Sequence, residues 1–247
     1  MRALLLVLLA SAAHAQPWGA TLSTLGEAVS ERDDVWTETR LAAGGQTARL
    51  GGVAEAGVVG RFGQRAAFVG ADLYPALGRG VYANVRARWA PGSDVTARLD
   101  AGVEAFAALG SGVEASAGVR RLAFADRDVT LGSVGAGLYA GPWYLRGQLS
   151  GVPRSGRPAL SGRVLARRFL GDGAGGAFGE FWEVSAGRGE EARLEAAGAS
   201  AFRTSWSVGG RVQRRLAGGL GGALGAGYVA DGDLSRAQAE AGVFVRW

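Results

Sequence analysis

The sequence predicts an all-β chain: a single antiparallel transmembrane β-barrel of about fourteen strands, with twelve as the smaller count that the same pattern allows. Three observations predict it. Between Trp18 and Trp247, apolar and polar residues alternate with period two in one stretch after another, and almost nothing repeats at helical period. The stretches run to about ten residues, which suits a tilted strand crossing a bilayer and exceeds the roughly five or six of an ordinary strand. Glycine occupies 43 of 247 positions without a G-X-Y period, a composition that disfavours helix and suits closely packed strands and tight turns.

Residues 1–16 come before the first strand. Met1-Arg2 is a short basic start, Ala3 to Ala10 an apolar core, and Ala13-His14-Ala15 before Gln16 an A-x-A cleavage site. A cleaved signal peptide at 1–16 and a barrel at 17–247 are therefore expected. Cleavage removes His14, the only histidine.

Trp18 to Val29 is the first strand and Ser30 to Asp34 a polar turn; Val35 to Ala43 follows, with Gly44-Gly45 as the next turn. Gln46 to Arg61 sets Leu50, Ala54, Ala56 and Val58 against Arg49 and Glu55. Gln64 to Tyr74 sets Ala67, Val69, Ala71 and Leu73 against Asp72, and Pro75, with no N–H to donate, is expected to stop the ladder. Val81 to Trp89 opposes Val85, Ala87 and Trp89 to Arg86 and Arg88. After P-G-S-D at Pro91 to Asp94, a strand from Val95 to Phe106 opposes its apolar face to Arg98, Asp100 and Glu104. The strand from Val113 carries Glu114 and Arg120 opposite its valines. Val129 to Ala140, Trp143 to Gly151 and Ala159 to Leu170 come next, the last with Arg163 and Arg167 on one side. Ala177 to Arg188 carries Glu183. Gly189 to Phe202 is ambiguous, either a helical turn or two or an extension of its neighbours. Arg203 to Arg215 with Arg211, Leu220 to Val229, and Arg236 to Trp247 with Glu240 complete the set.

The glycine-rich connections fall at one end and the charged ones at the other, as short periplasmic turns and longer outer loops do. A secreted soluble sandwich or barrel would share the alternation. Strand length and a sustained apolar parity, with Trp89, Trp206, Tyr228 and Trp247 near strand ends, weigh against it. In lipid the sheet must close, because each unpaired edge group costs several kcal/mol, so Arg236–Trp247 is expected to pair with Trp18–Val29.

The polar parity then lines the lumen. It carries Arg49, Arg86, Arg88, Arg98, Arg120, Arg163, Arg167 and Arg211 against Glu55, Asp72, Asp100, Glu104, Glu114, Glu183 and Glu240. A one-signed wall would argue for an ion-selective channel, whereas mixed charges can pair across the interior and fill it. These charges are expected to be interior packing pairs, which makes the protein a structural or envelope-associated barrel with a charge-filled lumen; a narrow conduit or transporter for small solutes, or an internal ligand site, is the alternative.

Several chemistries are disfavoured. No cysteine is present, so disulfides, thiolate chemistry and the usual structural zinc sites are absent. Without an imidazole in the mature chain a serine lacks its usual base, which argues against an outer-membrane hydrolase. No cofactor is expected. Asp231 and Asp233 in D-G-D are conceivable calcium ligands, but D-G is first a turn signal. All 27 strong bases are arginines, and dispersed as they are they form no nucleic-acid patch. Arg154 and Arg157, beside Glu190, Glu191 and Glu195, are charges of outer loops that suit solvent or anionic lipopolysaccharide.

Ordered motifs carry a resemblance: R-F-G at Arg61 to Gly63, D-L-Y-P at Asp72 to Pro75, S-A-G-V-R-R-L-A-F at Ser116 to Phe124 followed by D-V-T-L, G-P-W-Y-L-R-G-Q-L-S at Gly141 to Ser150, and L-A-R-R-F-L-G-D at Leu165 to Asp172. Together the chain resembles the YaiO family of outer-membrane β-barrel proteins. The resemblance implies a Gram-negative outer-membrane location and no particular reaction. It implies outer-membrane lipid and lipopolysaccharide as surroundings, envelope or polysaccharide-export proteins as partners, and the barrel assembly machinery as reader of the terminal strand at Val243, Val245 and Trp247. Phe169 and Trp247 stand where tyrosine and phenylalanine are commoner, and both keep an aromatic.

Overall fold

An extended backbone places successive side chains on opposite faces and leaves its N–H and C=O groups for neighbouring strands. In the computed structural model, which describes residues 18–30, 34–153, 158–170, 178–194, 200–232 and 234–247, these groups close on themselves. The strands are β1 (Gly19–Val29), β2 (Asp34–Gln46), β3 (Leu50–Arg61), β4 (Gln64–Gly78), β5 (Val81–Trp89), β6 (Leu99–Gly110) and β7 (Val113–Ala123). They continue as β8 (Asp128–Ala140), β9 (Trp143–Val152), β10 (Ala159–Phe169), β11 (Phe181–Leu194), β12 (Ser200–Ala217), β13 (Leu220–Asp231) and β14 (Leu234–Arg246). Each pairs antiparallel with its neighbours in sequence, and β14 pairs with β1 to close a barrel of fourteen. The seam runs from Gly19 opposite Arg246 to Val29 opposite Arg236, and Trp18 and Trp247 exchange backbone hydrogen bonds of 3.2 and 3.0 Å below it.

The two faces differ as the alternation requires. Every strand contributes a Leu or Val to the outer band, from Leu22 on β1 to Val243 on β14, and these fourteen side chains are 41% to 64% exposed. In a soluble protein such an apolar belt would be a very large exposed patch; in a bilayer it is the lipid contact. Trp89, Trp206 and Trp247 lie on the same face at 49% to 56% exposure, and the Trp206 and Tyr228 rings meet at 5.3 Å. The inner face holds the buried residues, among them Ser23, Glu27, Phe68, Asp100, Phe106, Glu114, Gln213 and Phe244.

Several connections differ from the sequence expectation. Gly44 and Gly45 are not a turn: they belong to β2, opposite Val53 and Gly52. A Cβ on Gly44 would collide with the Gly52 carbonyl oxygen, and one on Gly45 with the Trp18 ring, so these glycines serve close approach. The turn is Thr47 to Arg49, where Thr47 Oγ1 accepts the Leu50 N–H at 3.0 Å. Pro75 does not stop β4, which continues to Gly78. Pairing with β5 breaks between Leu73 and Ala76 while Pro75 still faces Leu50 of β3, so the missing N–H interrupts one side of the strand only. Val95 to Arg98 is not strand. Ser93 Oγ accepts the N–H groups of Val95 and Thr96 at 3.3 and 3.1 Å, which gives this backbone a local alternative to the ladder. Strand β6 therefore begins at Leu99, opposite Trp89. Strand β11 likewise begins at Phe181, and Phe178 to Glu180 before it are not strand.

Of the ambiguous 189–202 stretch, the described parts extend β11 and β12, with Glu190 opposite Thr204 and Leu194 opposite Ser200. The signal-peptide segment 1–16, the loop arginines Arg154 and Arg157, Glu195 and Asp233 lie outside the described residues. Asp231 ends β13.

Candidate functional site

The inward residues of fourteen strands form the candidate site. Barrels of eight strands have interiors that side chains fill, and those of sixteen to eighteen leave a channel. At fourteen strands, what the inward side chains do decides the matter.

Toward the charged-loop end, Arg88 of β5 donates to Glu55 of β3 at 2.8 Å and to Glu38 of β2 at 3.1 Å. Its guanidinium lies 4.0 Å from the centre of the Phe68 ring, and Arg40 adds a 3.3 Å contact to Glu55. One planar fork thus serves two carboxylates while an aromatic face covers it. Further round the wall Arg86 meets Asp72 at 3.0 Å, where Asn84 also donates at 3.2 Å. Arg120 grips both oxygens of Asp100, at 2.6 and 2.5 Å, the bidentate geometry of a strong pair. Arg146 donates to Glu104 at 2.5 Å and Gln148 to the same oxygen at 3.3 Å.

Toward the short-turn end, Glu114 accepts from Tyr82 at 2.9 Å and from Tyr144 at 2.7 Å, and the Tyr82 ring stacks on Phe106 at 4.5 Å. Arg167 donates twice to Glu183, at 2.8 and 2.5 Å, with its guanidinium 4.3 Å from the Phe181 ring centre. Arg211 approaches Glu240 at 3.6 Å, and nearer the charged-loop end Gln238 donates to Glu27 across the closing seam.

Two of the arginines expected on the strands of the wall lie in connections instead. Arg49 is exposed in the β2–β3 turn, because β3 starts later than the pattern suggested. Arg98 belongs to the loop before β6, where it donates to the Ser93 carbonyl at 3.0 Å and pairs with Asp94 at 2.8 Å. Arg163 faces inward from β10 without a carboxylate; among the described residues its hydrogen bond goes to Ser185 Oγ at 3.3 Å. Conversely, Glu27, Glu38, Arg40, Tyr82, Tyr144, Arg146 and Gln148 join the wall and went unread. Their signal was the same parity: Glu38 and Arg40 are two apart on β2, as are Tyr144, Arg146 and Gln148 on β9.

The pattern of pairing matters more than its membership. The longest links, Glu38 to Arg88 and Glu104 to Arg146, join strands three apart in the ring of fourteen, and diametrically opposed strands are seven apart. Among the described residues the ion pairs therefore follow the wall, and none of them joins diametrically opposed strands. Space remains beside the wall. A cavity of 580 Å³ at the short-turn end is lined by Arg49, Tyr74, Tyr82, Tyr139, Arg167, Phe169 and Phe178. Another of 410 Å³ toward the charged-loop end is lined by Gln148, Ser150, Ser161, Arg163, Ser205 and Ser207 among others.

A closed ladder, an outward apolar belt and an inward wall of paired charges define a transmembrane β-barrel of the outer-membrane type. The chain belongs to the YaiO family: the family model described as the YaiO membrane beta barrel domain matches residues 20–193. Among solved structures the fold is similar to the Acinetobacter baumannii outer membrane protein Omp33, with a TM-score of 0.57 and 11% identity over 94% of this chain and 99% of that one. It is similar to the CymD monoaromatic hydrocarbon channel, at 0.56 and 8% over 96% and 89%. It also resembles a bacterial polysaccharide outer membrane secretin, at 0.53 and 8% over 93% and 98%. At these identities the likeness is one of fold. Comparison with curated proteins finds no match.

Proposed function

We propose that this protein is a narrow, charge-balanced conduit for small polar solutes in the outer membrane of a Gram-negative bacterium. The observation that supports this reading is the course of the ion pairs: they run along the wall between strands at most three apart and leave cavities at both ends of the lumen. A wall of matched charges presents polar atoms to a passing solute and little net field, so it discriminates weakly by sign. The solved barrels of similar fold include a channel, which is compatible with conduction but does not establish it. Within the same proposal, residues 1–16 direct export, the assembly machinery reads Val243, Val245 and Trp247 at the end of β14, and lipopolysaccharide meets the outer rim.

Liposome swelling tests the reading. Vesicles carrying the refolded barrel should swell in iso-osmotic arabinose several times faster than in a tetrasaccharide, because a conduit narrowed by side chains selects by size. Swelling no faster than in protein-free vesicles, for both sugars, refutes the conduit and leaves a filled barrel with an envelope-associated structural role.

A further inference from the structure

Arg163 is the exception on the wall. Elsewhere an inward arginine of the network finds a carboxylate: Arg86 has Asp72, Arg88 has Glu55 and Glu38, Arg120 has Asp100, Arg146 has Glu104, and Arg167, four residues from Arg163 on the same face of β10, has Glu183. Among the described residues Arg163 makes one long hydrogen bond, to a serine, and it is exposed to the lumen. The strands around it supply hydroxyls where the other side of the barrel supplies carboxylates. Ser161 precedes it by two on β10, Ser150 lies opposite Ser161 on β9, and Ser205 and Ser207 come from β12. Gln148, directly opposite Arg163 on β9, adds an amide. All of these line the 410 Å³ cavity, together with the charged residues Arg188, Glu190 and Arg236, and its volume is within the range of small-molecule sites.

We propose that this cavity is a binding site for a small hydroxylated carboxylate of the sugar-acid type. The guanidinium provides two parallel N–H donors for one carboxylate. Each serine hydroxyl both donates and accepts, as does the glutamine amide, so this wall matches a solute whose own hydroxyls do the same. Among the described residues Arg163 makes no ion pair, and three arginines against one glutamate leave the lining net cationic, so positive charge is left for the ligand; a neutral sugar would satisfy the hydroxyls and leave it unmatched, and a bare small acid would do the reverse. The site deepens the conduit reading by naming a solute class, but binding itself requires no passage through the barrel.

The test is isothermal titration of the detergent-solubilised barrel with glucuronate, glucose, acetate and inorganic phosphate. Glucuronate should bind saturably and at least about tenfold more tightly than the other three. Arg163→Gln should weaken it by roughly tenfold or more, the scale of a lost charge-assisted hydrogen bond. Arg163→Lys, which keeps the charge and loses the fork, should fall between, and it serves as the reporting variant if Arg163→Gln does not fold. Failure of glucuronate to bind, equal binding of acetate or phosphate, or affinity unchanged in both variants overturns the proposal. A barrel that binds glucuronate but passes no solute refutes the conduit alone, and one that passes arabinose but binds no glucuronate refutes this site alone.

Discussion

At the scale of single residues, the wall is governed by how an arginine is shared. Arg88 holds Glu55 and Glu38 on two different strands, with side chains only 10% and 23% exposed, so its removal would leave Glu38 without this partner and Glu55 with only the 3.3 Å contact from Arg40. Arg88→Met should lower unfolding stability by about 1–3 kcal/mol, measured as a shift in the temperature at which the barrel loses its compact electrophoretic migration. Adding Glu55→Gln should recover part of that loss. Losses that simply add in the double variant would show that the pair is not coupled. The parity of each strand was readable, and it put Glu55 and Arg88 on one face from the sequence alone. Which arginine meets which acid was not readable, since that depends on cross-strand register. Arg163 shows the same limit: on β10 it looks like Arg167, and only the serines brought beside it by β9 and β11 distinguish them.

At the scale of elements, period two located the strands and turn chemistry set their ends less surely. Val81–Trp89 was legible to the residue because a glycine-rich turn bounds it on one side and a proline-containing loop on the other. Gly44 and Gly45 misled because glycine marks both tight turns and places where a backbone or a ring comes close. Gly44→Val should therefore destabilise β2–β3 by about 1–3 kcal/mol, with increased amide exchange confined at first to those strands; an unaltered exchange pattern would contradict the close-approach account. The end of the loop before β6, Val95 to Arg98, was misread as strand because Ser93 caps two N–H groups locally, a competition that alternation does not reveal. The closing strand makes the sharpest prediction at this scale. Val243 faces lipid at 54% exposure and pairs with Leu22 across the seam. Val243→Arg should cost roughly 2–4 kcal/mol if it lies near mid-depth and should lower the heat-modifiable fraction recovered in membranes. Normal recovery would place that face away from lipid.

At the scale of the whole molecule, the fold was legible because a membrane allows few solutions. Backbone groups must pair within the chain, strands must close, and the belt must be apolar. These constraints need only a one-dimensional pattern, so the fourteen strands and the pairing of the terminal strand with the first could be read before any coordinates. Whether the lumen is blocked is a three-dimensional property. Among the described residues the ion pairs join strands at most three apart in the ring, which supports the proposed conduit. Single-channel recording of the purified barrel in planar lipid bilayers is the most direct test of an open, charge-balanced lumen. Discrete, stable openings with a reversal potential close to zero in a salt gradient are the expected result; silence at protein densities that insert fully, or strong selectivity for one ion sign, would contradict it.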